Sequence, residues 1–329
     1  MKRLRIHATS CALLTLTLSA APVLAQQSTA PGYPAKPIRL VVPLAAGGPS
    51  DHMARALSQK LSEGVKQTVI VDNRPGASGM IGADIVAKSA PDGYTLLLAQ
   101  TAVTVNASLF PKIPYDTLRD LEAISQLTSA PYLLAVHPSL PVNSLQQLIA
   151  FAKARPGQLN HGSAGSGTGP HLGMEMLMQK TGMKLTHITY KGGGPALIDF
   201  IAGHTQVYMT NIVTMLPQAK AGKIRALATS GANRSPVAPE VPTIMESGVT
   251  GYSEGAFHGV MAPAGVSKAI IEKLHAEIVK AMRSPDVLNR LTAEGAEVVA
   301  SSPEEFSARV RSDVAKWANV IKQAGIRAE

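Results

Sequence analysis

Short apolar runs alternate along the chain with stretches in which apolar residues recur every three or four positions. The runs at 38–42, 68–71, 94–99, 133–136, 187–190, 206–209 and 224–229 predict strands, and helical stretches fall between most of them. That alternation is the signature of βαβ units, so an α/β fold with a mostly parallel sheet is expected. After Pro263 the character changes. Ile271, Leu274, Ile278 and Met282 keep a helical period, as do Phe306, Val310, Val314, Trp317 and Ile321. Ser302-Pro303-Glu304-Glu305 is a helix start, with Ser as N-cap, Pro in the first turn and Glu three residues after the cap. Single apolar stripes of this kind are what core-facing helices need. The length, 329 residues, exceeds the usual reach of one hydrophobic core and predicts two lobes.

Two strand-to-helix junctions share one grammar. The first runs Pro43-Leu44-Ala45-Ala46-Gly47-Gly48-Pro49-Ser50-Asp51 into a helix carrying Met53, Leu57 and Leu61. The second follows Leu159-Asn160-His161 and runs Gly162-Ser163-Ala164-Gly165-Ser166-Gly167-Thr168-Gly169-Pro170-His171 into Leu172, Met176 and Leu177. Small residues let a ligand approach the backbone, and the freed N–H groups at a helix start attract an anion. Two such loops are expected to grip one anionic group from both sides.

The first 25 residues read as a secretory signal peptide, with Lys2, Arg3 and Arg5 before an apolar stretch and a cut near Ala25. The apolar stretch is shorter than the roughly 20 residues that span a bilayer. Residues 26–37 are rich in Pro, Ser and Ala and form a tether. Cys11 is the only cysteine and lies inside the signal, so a mature chain without thiol, disulfide or cysteine-bound metal is expected. The formal charge is +9, or +6 after the signal is removed, and it is dispersed. Such a surplus suits anionic small molecules, whereas no basic run interleaved with aromatics supports nucleic-acid binding.

Familiar chemistries fail at particular positions. Gly162 and Gly167 have phosphate-loop spacing, but Thr168-Gly169 stands where Lys and Ser or Thr are required. Pro170 stands where the third glycine of a dinucleotide fingerprint belongs. Neither Ser163 nor Ser166 sits in a nucleophile elbow, although Ser163, His171 and Asp51 remain open to converging in space as an exported serine hydrolase. Nine histidines are scattered without metal-type spacing; His137, His187 and His204 read as surface or structural residues. The expectation is a binding protein rather than an enzyme, with no cofactor and no metal.

The first loop resembles the Pro-Phe-Ala-Pro-Gly-Gly…Asp loop of the Bug family, the extracytoplasmic solute-binding receptors of tripartite tricarboxylate transporters. Asp72-Asn73-Arg74-Pro75-Gly76-Ala77, Ala90-Pro91-Asp92-Gly93-Tyr94, the second loop, Tyr190-Lys191-Gly192, Pro239-Glu240-Val241-Pro242-Thr243 and Ala262-Pro263-Ala264-Gly265 extend the resemblance in order from Tyr33 to the C-terminus. It implies a two-lobed periplasmic-binding-protein fold of the type II, Venus-flytrap kind: two doubly wound domains on a hinge. Lobe 1 is then 38–130 with 256–329, and lobe 2 is 131–255. The resemblance further implies a monomer that takes an organic carboxylate and meets integral-membrane transporter subunits. A sensory module docking on a membrane sensor is the alternative.

Carried onto this chain, the resemblance places the ligand against Ala45, Ala46, Gly47, Gly48, Ser50 and Asp51 of the first loop. On the second it places Ser163, Ala164, Gly165, Ser166, Gly167, Thr168 and His171. Asp51 braces its loop or orients a water, and Ser50 is expected as an N-cap. Gly192 opens a third N–H set before Gly193-Gly194-Pro195, while Thr101 and Asn106 line the cleft if the usual geometry holds. Two departures bear on selectivity. Thr210-Asn211 stands where relatives often carry Asp-Asn, and Phe257-His258-Gly259 where they often show Trp-Phe before Gly. Loss of the acid disfavours a ligand ammonium, and His258 is expected to donate to a second carboxylate or another polar end of the ligand. Asn211, Thr101 and His258 are the expected specificity residues.

Overall fold

A computed structural model describes residues 32–47, 49–190, 193–293 and 295–327. The signal peptide, the tether up to residue 31, Gly48 and Gly192 lie outside the described residues. The chain order is β1 (Ile38–Val42), α1 (Pro49–Val65), β2 (Val69–Asn73), α2 (Met80–Ala87), β3 (Thr95–Gln100), α3 (Ala102–Leu109) and β4 (Leu121–Val136). Then come α4 (Leu145–Ala154), β5 (Asn160–Ser163), α5 (Gly169–Thr181), β6 (Thr186–Thr189), α6 (Gly193–Ile201), β7 (Val207–Asn211), α7 (Ile212–Lys220) and β8 (Arg225–Thr229). The chain ends with β9 (Gly255–Pro263), α8 (Lys268–Met282), α9 (Pro285–Ala293), β10 (Glu297–Val298) and α10 (Pro303–Ala324).

Among the described strands, parallel ladders join β1 with β2 and β3, and β5 with β6 and β7; beyond these a single parallel bridge links Thr229 to Thr243. The strands nearer the hinge are antiparallel, so the sheet is mixed rather than mostly parallel. β9 runs antiparallel to β3 and β4, and β4 also runs antiparallel to β7, β8 and β10. The physical reason is connectivity. A strand that passes from one lobe into the other needs no crossover helix, and so escapes the constraint that makes neighbours parallel. The sequence pattern marked only the last four residues of β4 and did not mark β9, because both mix small and polar residues with the apolar ones.

β4 spans both lobes: its first half pairs with β9 and its last residues with β7 and β8. Where β4 and β9 part, Pro131 faces Gly255. A Cβ at Gly255 would lie 2.7 Å from the carbonyl oxygen of Ala130, so only glycine lets the two hinge strands approach this closely. Ser230 ties the crossing together. Its hydroxyl accepts from the Tyr132 N–H at 2.7 Å and donates to the Glu254 carbonyl at 2.6 Å, while its own carbonyl accepts from the Glu254 N–H at 2.7 Å.

Helix α10 begins with the expected capping box, Ser302 accepting from the Glu305 N–H while the Glu305 carboxylate accepts from the Ser302 N–H. Its stripe serves two cores. Phe306 and Val310 pack with Val41, Leu97 and Phe257, whereas Trp317, Val320 and Ile321 pack with Leu109, Tyr132, Leu172 and Met176. Asp313, in the same helix, is buried and accepts from Arg309 at 2.7 Å and Lys316 at 2.8 Å. Lys316 also pairs with buried Glu254 at 2.6 Å, and burial pushes the Glu254 carboxyl up from its ordinary value.

Candidate functional site

Both small-residue loops follow the carboxyl end of a strand, β1 and β5, where ligands of open α/β sheets bind. They close by the same device. Gly47 (φ 84°) donates its N–H to the Asp51 carboxylate at 3.0 Å, and Gly167 (φ 75°) donates its N–H to His171 Nδ1 at 3.0 Å. Each acceptor lies four residues on, in the first turn of the following helix, and is buried. Each is then backed by a partner four residues further: Arg55 Nε donates to Asp51 at 2.9 Å, and His171 Nε2 lies 3.5 Å from Glu175. Only glycine adopts such φ values freely, and the i, i+4 spacing stacks side chains on one helix face.

The Arg55 guanidinium, followed by the Gly47 N–H, holds the Asp51 carboxyl down to about 2. Because the folded value lies below the ordinary 3.8, this brace is fully present above that pH and is lost as pH falls through about 2. Acid titration of unliganded wild type followed by circular dichroism is expected to show a stability loss in that window, which D51N lacks.

Beneath the second loop lies a stack of three imidazoles that sequence spacing does not reveal. His171 and His187 rings are 3.9 Å apart between centroids, and His161 and His187 are 4.9 Å apart. His161 and His187 are brought together as register partners on the adjacent parallel strands β5 and β6, and His171 arrives from α5. Strand pairing is a tertiary fact, so no local signal announces the cluster. His187 Nε2 lies 2.6 Å from Ser163 Oγ. Burial, followed by the neighbouring His171, pushes His187 down to about 4; burial, then His187 and His171, pushes His161 down to about 3. Among the described residues neither nitrogen of fully buried His161 has a hydrogen-bond partner, the nearest carboxylate oxygen, of Glu175, standing 3.9 Å from Nε2. Replacing a buried unsatisfied polar group by an apolar ring of similar shape removes a desolvation penalty of about 1–3 kcal/mol. H161F is therefore expected to raise the urea midpoint; a lowered midpoint would mean that the imidazole has a partner.

The remaining expected residues divide by what already engages them. Ala45 and Ala46 are exposed, and Gly47 with them. Ser50 lies in the first turn of α1 rather than at its cap, with its hydroxyl 2.9 Å from His258 Nε2. His258 Nδ1 is 3.4 Å from the Thr128 hydroxyl, and burial pushes the imidazole down to about 4. With both ring nitrogens facing protein hydroxyls, His258 is an uncharged support for Ser50, and a second ligand carboxylate would have to compete for it. Thr101 Oγ1 accepts from the Phe257 N–H at 3.4 Å. Asn106 is buried and donates to the Ser78 carbonyl at 3.0 Å, so it anchors the 76–79 turn instead of lining a cleft. Asn211 caps α7, its Oδ1 accepting from the Val213 N–H at 3.0 Å, which leaves its amide NH₂ as the group to present outward.

In the second loop, Ala164, Ser166 and Thr168 are half-buried. Gly165 donates its N–H to Ser163 Oγ at 3.2 Å, and the Gly165 carbonyl accepts from the Thr168 hydroxyl at 2.8 Å and the Thr168 N–H at 3.3 Å. The loop is thus built as a self-braced turn. Ser163 and His187 have the spacing of a nucleophile and its base, but Ser163 is only 1% exposed. Asp51 is engaged by Arg55 and Gly47 in the first loop. A buried serine without an orienting acid does not make a hydrolytic triad.

Residues 53–326 match the model of the tripartite tricarboxylate transporter family receptor. The chain belongs to that family. It is a periplasmic solute receptor and not an enzyme. The receptor is 38% identical to the protein BugT of Bordetella pertussis over 310 residues, 94% of each chain. Among solved structures it is similar to R. palustris Rpa4515 with adipate, at 35% identity and TM-score 0.76, covering 90% of this chain and 99% of that one. MatC from Rhodopseudomonas palustris with bound malate is 31% identical, with TM-score 0.73 and coverage of 88% and 100%. These matches establish the two-lobed α/β periplasmic-binding fold of the receptor.

Proposed function

We propose that the receptor captures an organic carboxylate, a di- or tricarboxylate or an aromatic acid, between the first and second loops and presents it to integral-membrane transporter subunits. The observation that carries this reading is the paired Gly47–Asp51 and Gly167–His171 closure, which sets two glycine turns at helix starts, each after a strand end. The adipate and malate bound by two relatives support the ligand class. The proposed site comprises Ala45 to Gly47, Ser50, Asp51, Ser163 to Thr168 and His171, with Thr101, Asn211 and His258 around them; Gly48 and Gly192 are included on the sequence alone. The moving bodies are 38–130 with 256–329 and 131–255, hinged where β4 and β9 part, with the end of α10 packed on the second body.

A thermal-shift panel of adipate, malate, tricarboxylates, aromatic carboxylates, nicotinate and amino acids tests the proposal. A ligand at a hundred times its Kd adds about 2.7 kcal/mol of stability, a shift of roughly 4 °C for a chain of this size. At least one carboxylate is expected to reach it. Amino acids stabilising more than every dicarboxylate would contradict both the ligand class and the significance of Thr210.

A further inference from the structure

Among the three stacked imidazoles, His187 is the one that touches the Ser163 hydroxyl. His171 Nδ1 accepts the Gly167 N–H and its Nε2 faces Glu175, while His161 is fully enclosed. His187 is half-buried and touches the ligand loop through one short contact, Nε2 to Ser163 Oγ at 2.6 Å. The Ser163 hydroxyl has a second acceptor within reach, the Gly165 carbonyl at 3.2 Å, and accepts the Gly165 N–H at 3.2 Å. Its single proton therefore has two alternative destinations. With His187 neutral and Nε2 unprotonated, Ser163 donates to the imidazole. With a proton on Nε2, the imidazolium donates to Ser163, and the hydroxyl proton turns toward the loop.

We propose that His187 is a positioning residue that couples proton uptake to ligand capture: a carboxylate entering the second loop draws a proton onto His187 Nε2, which reverses the His187–Ser163 hydrogen bond and turns the buried Ser163 hydroxyl to the Gly165 carbonyl of the loop. This rests on the carboxylate reading of the cleft. The proton comes from solvent, no covalent bond changes, and one positive charge appears beneath the incoming negative one. The titratable groups set against His187 are His161 on β5 and His171 and Glu175 on α5; the carboxylate of Glu175 favours the imidazolium, and proximity to His171 disfavours it. Burial keeps the unliganded imidazole neutral, so the added anion is what tips the balance.

Imidazole ¹⁵N NMR of the unliganded receptor at pH 7 is expected to find His187 protonated at Nδ1 and bare at Nε2; the opposite tautomer overturns the proposal. Calorimetric titration with adipate, or malate if adipate is silent, is then run at pH 6 in buffers of different ionisation enthalpy. Wild type is expected to take up more protons than H187Q, whose amide keeps a polar group near the Nε2 position but does not titrate. The ligand's own ionisation is common to both proteins and cancels. Wild-type affinity should rise as pH falls from 7.5 to 5.5, by up to about tenfold per unit that the bound-state pKa is raised, and H187Q should lack that excess. Equal uptake by the two proteins overturns the coupling while leaving the carboxylate reading intact. Silence of every carboxylate in the panel overturns that reading, and the tautomer measurement on wild type still decides the His187–Ser163 pair.

Discussion

W317A is expected to cost about 3–5 kcal/mol of stability, the usual range for deleting a buried Trp. Trp317 is 1% exposed and sits where the last half of α10 enters the core shared by Leu109, Tyr132, Leu172 and Met176. Its indole nitrogen has no hydrogen-bond partner among the described residues, and Lys316 Nζ lies 4.4 Å from the ring centroid, so the loss is one of volume, packing and that cation–π contact. W317F, which keeps much of that volume, should lose far less. Urea melts followed by circular dichroism measure both, since removing the only tryptophan also removes the intrinsic tryptophan signal. A W317A cost below about 1 kcal/mol would place it outside the core-truncation range and show that α10 is not held there by its apolar stripe. Because the same helix packs Phe306 and Val310 into the other core, W317A should also weaken the tie between the lobes.

The second large effect is at the second small-residue loop. G167A places a methyl group 2.3 Å from Leu109 Cδ2 at a residue whose φ is 75°. The left-handed backbone alone costs about 1–2 kcal/mol for a residue with a Cβ, and forcing an extra methyl into a packed contact adds about 1–3 kcal/mol. Both act on the turn that hands its N–H to His171, so affinity for any carboxylate that stabilises wild type in the thermal-shift panel should fall together with stability. Gly222 supplies the control: its φ is 71°, but a Cβ there meets nothing within 4 Å. G222A should carry the backbone cost alone, and the difference between the two variants in matched melts isolates the Leu109 contact. Equal costs would mean that Leu109 moves aside freely.

Much of the frame is legible in local pattern. β1 coincides with the apolar run at 38–42, and the capping box and apolar stripe of α10 stand where Ser302 and the helical period put them. Those features depend on neighbours within a few residues, which a sequence displays directly. The hinge strands are not legible in that way. Pro131 and Gly255 look like breakers in isolation, yet they are where β4 and β9 part, and Gly255 is required by a carbonyl more than a hundred residues away. At the loops, residue type leaves Asp51 to brace its loop, orient a water or stabilise the helix start, and the fold engages its carboxylate with Gly47 and Arg55. His258, expected to reach outward, instead joins Ser50 to Thr128 from a strand the pattern did not mark.

The sequence by itself determined the two loop motifs, the family and the alternation of strand and helix, because each is written in residue type and short spacing. Only the tertiary structure decided what lies under the second loop. His161, His171 and His187 are ordinary, scattered residues until parallel pairing of β5 with β6 and the packing of α5 stack their rings. Long-range pairing is a sum of many weak burial and hydrogen-bond contributions over the whole chain, so no single segment encodes it, and the chemistry that depends on it appears only in the folded molecule.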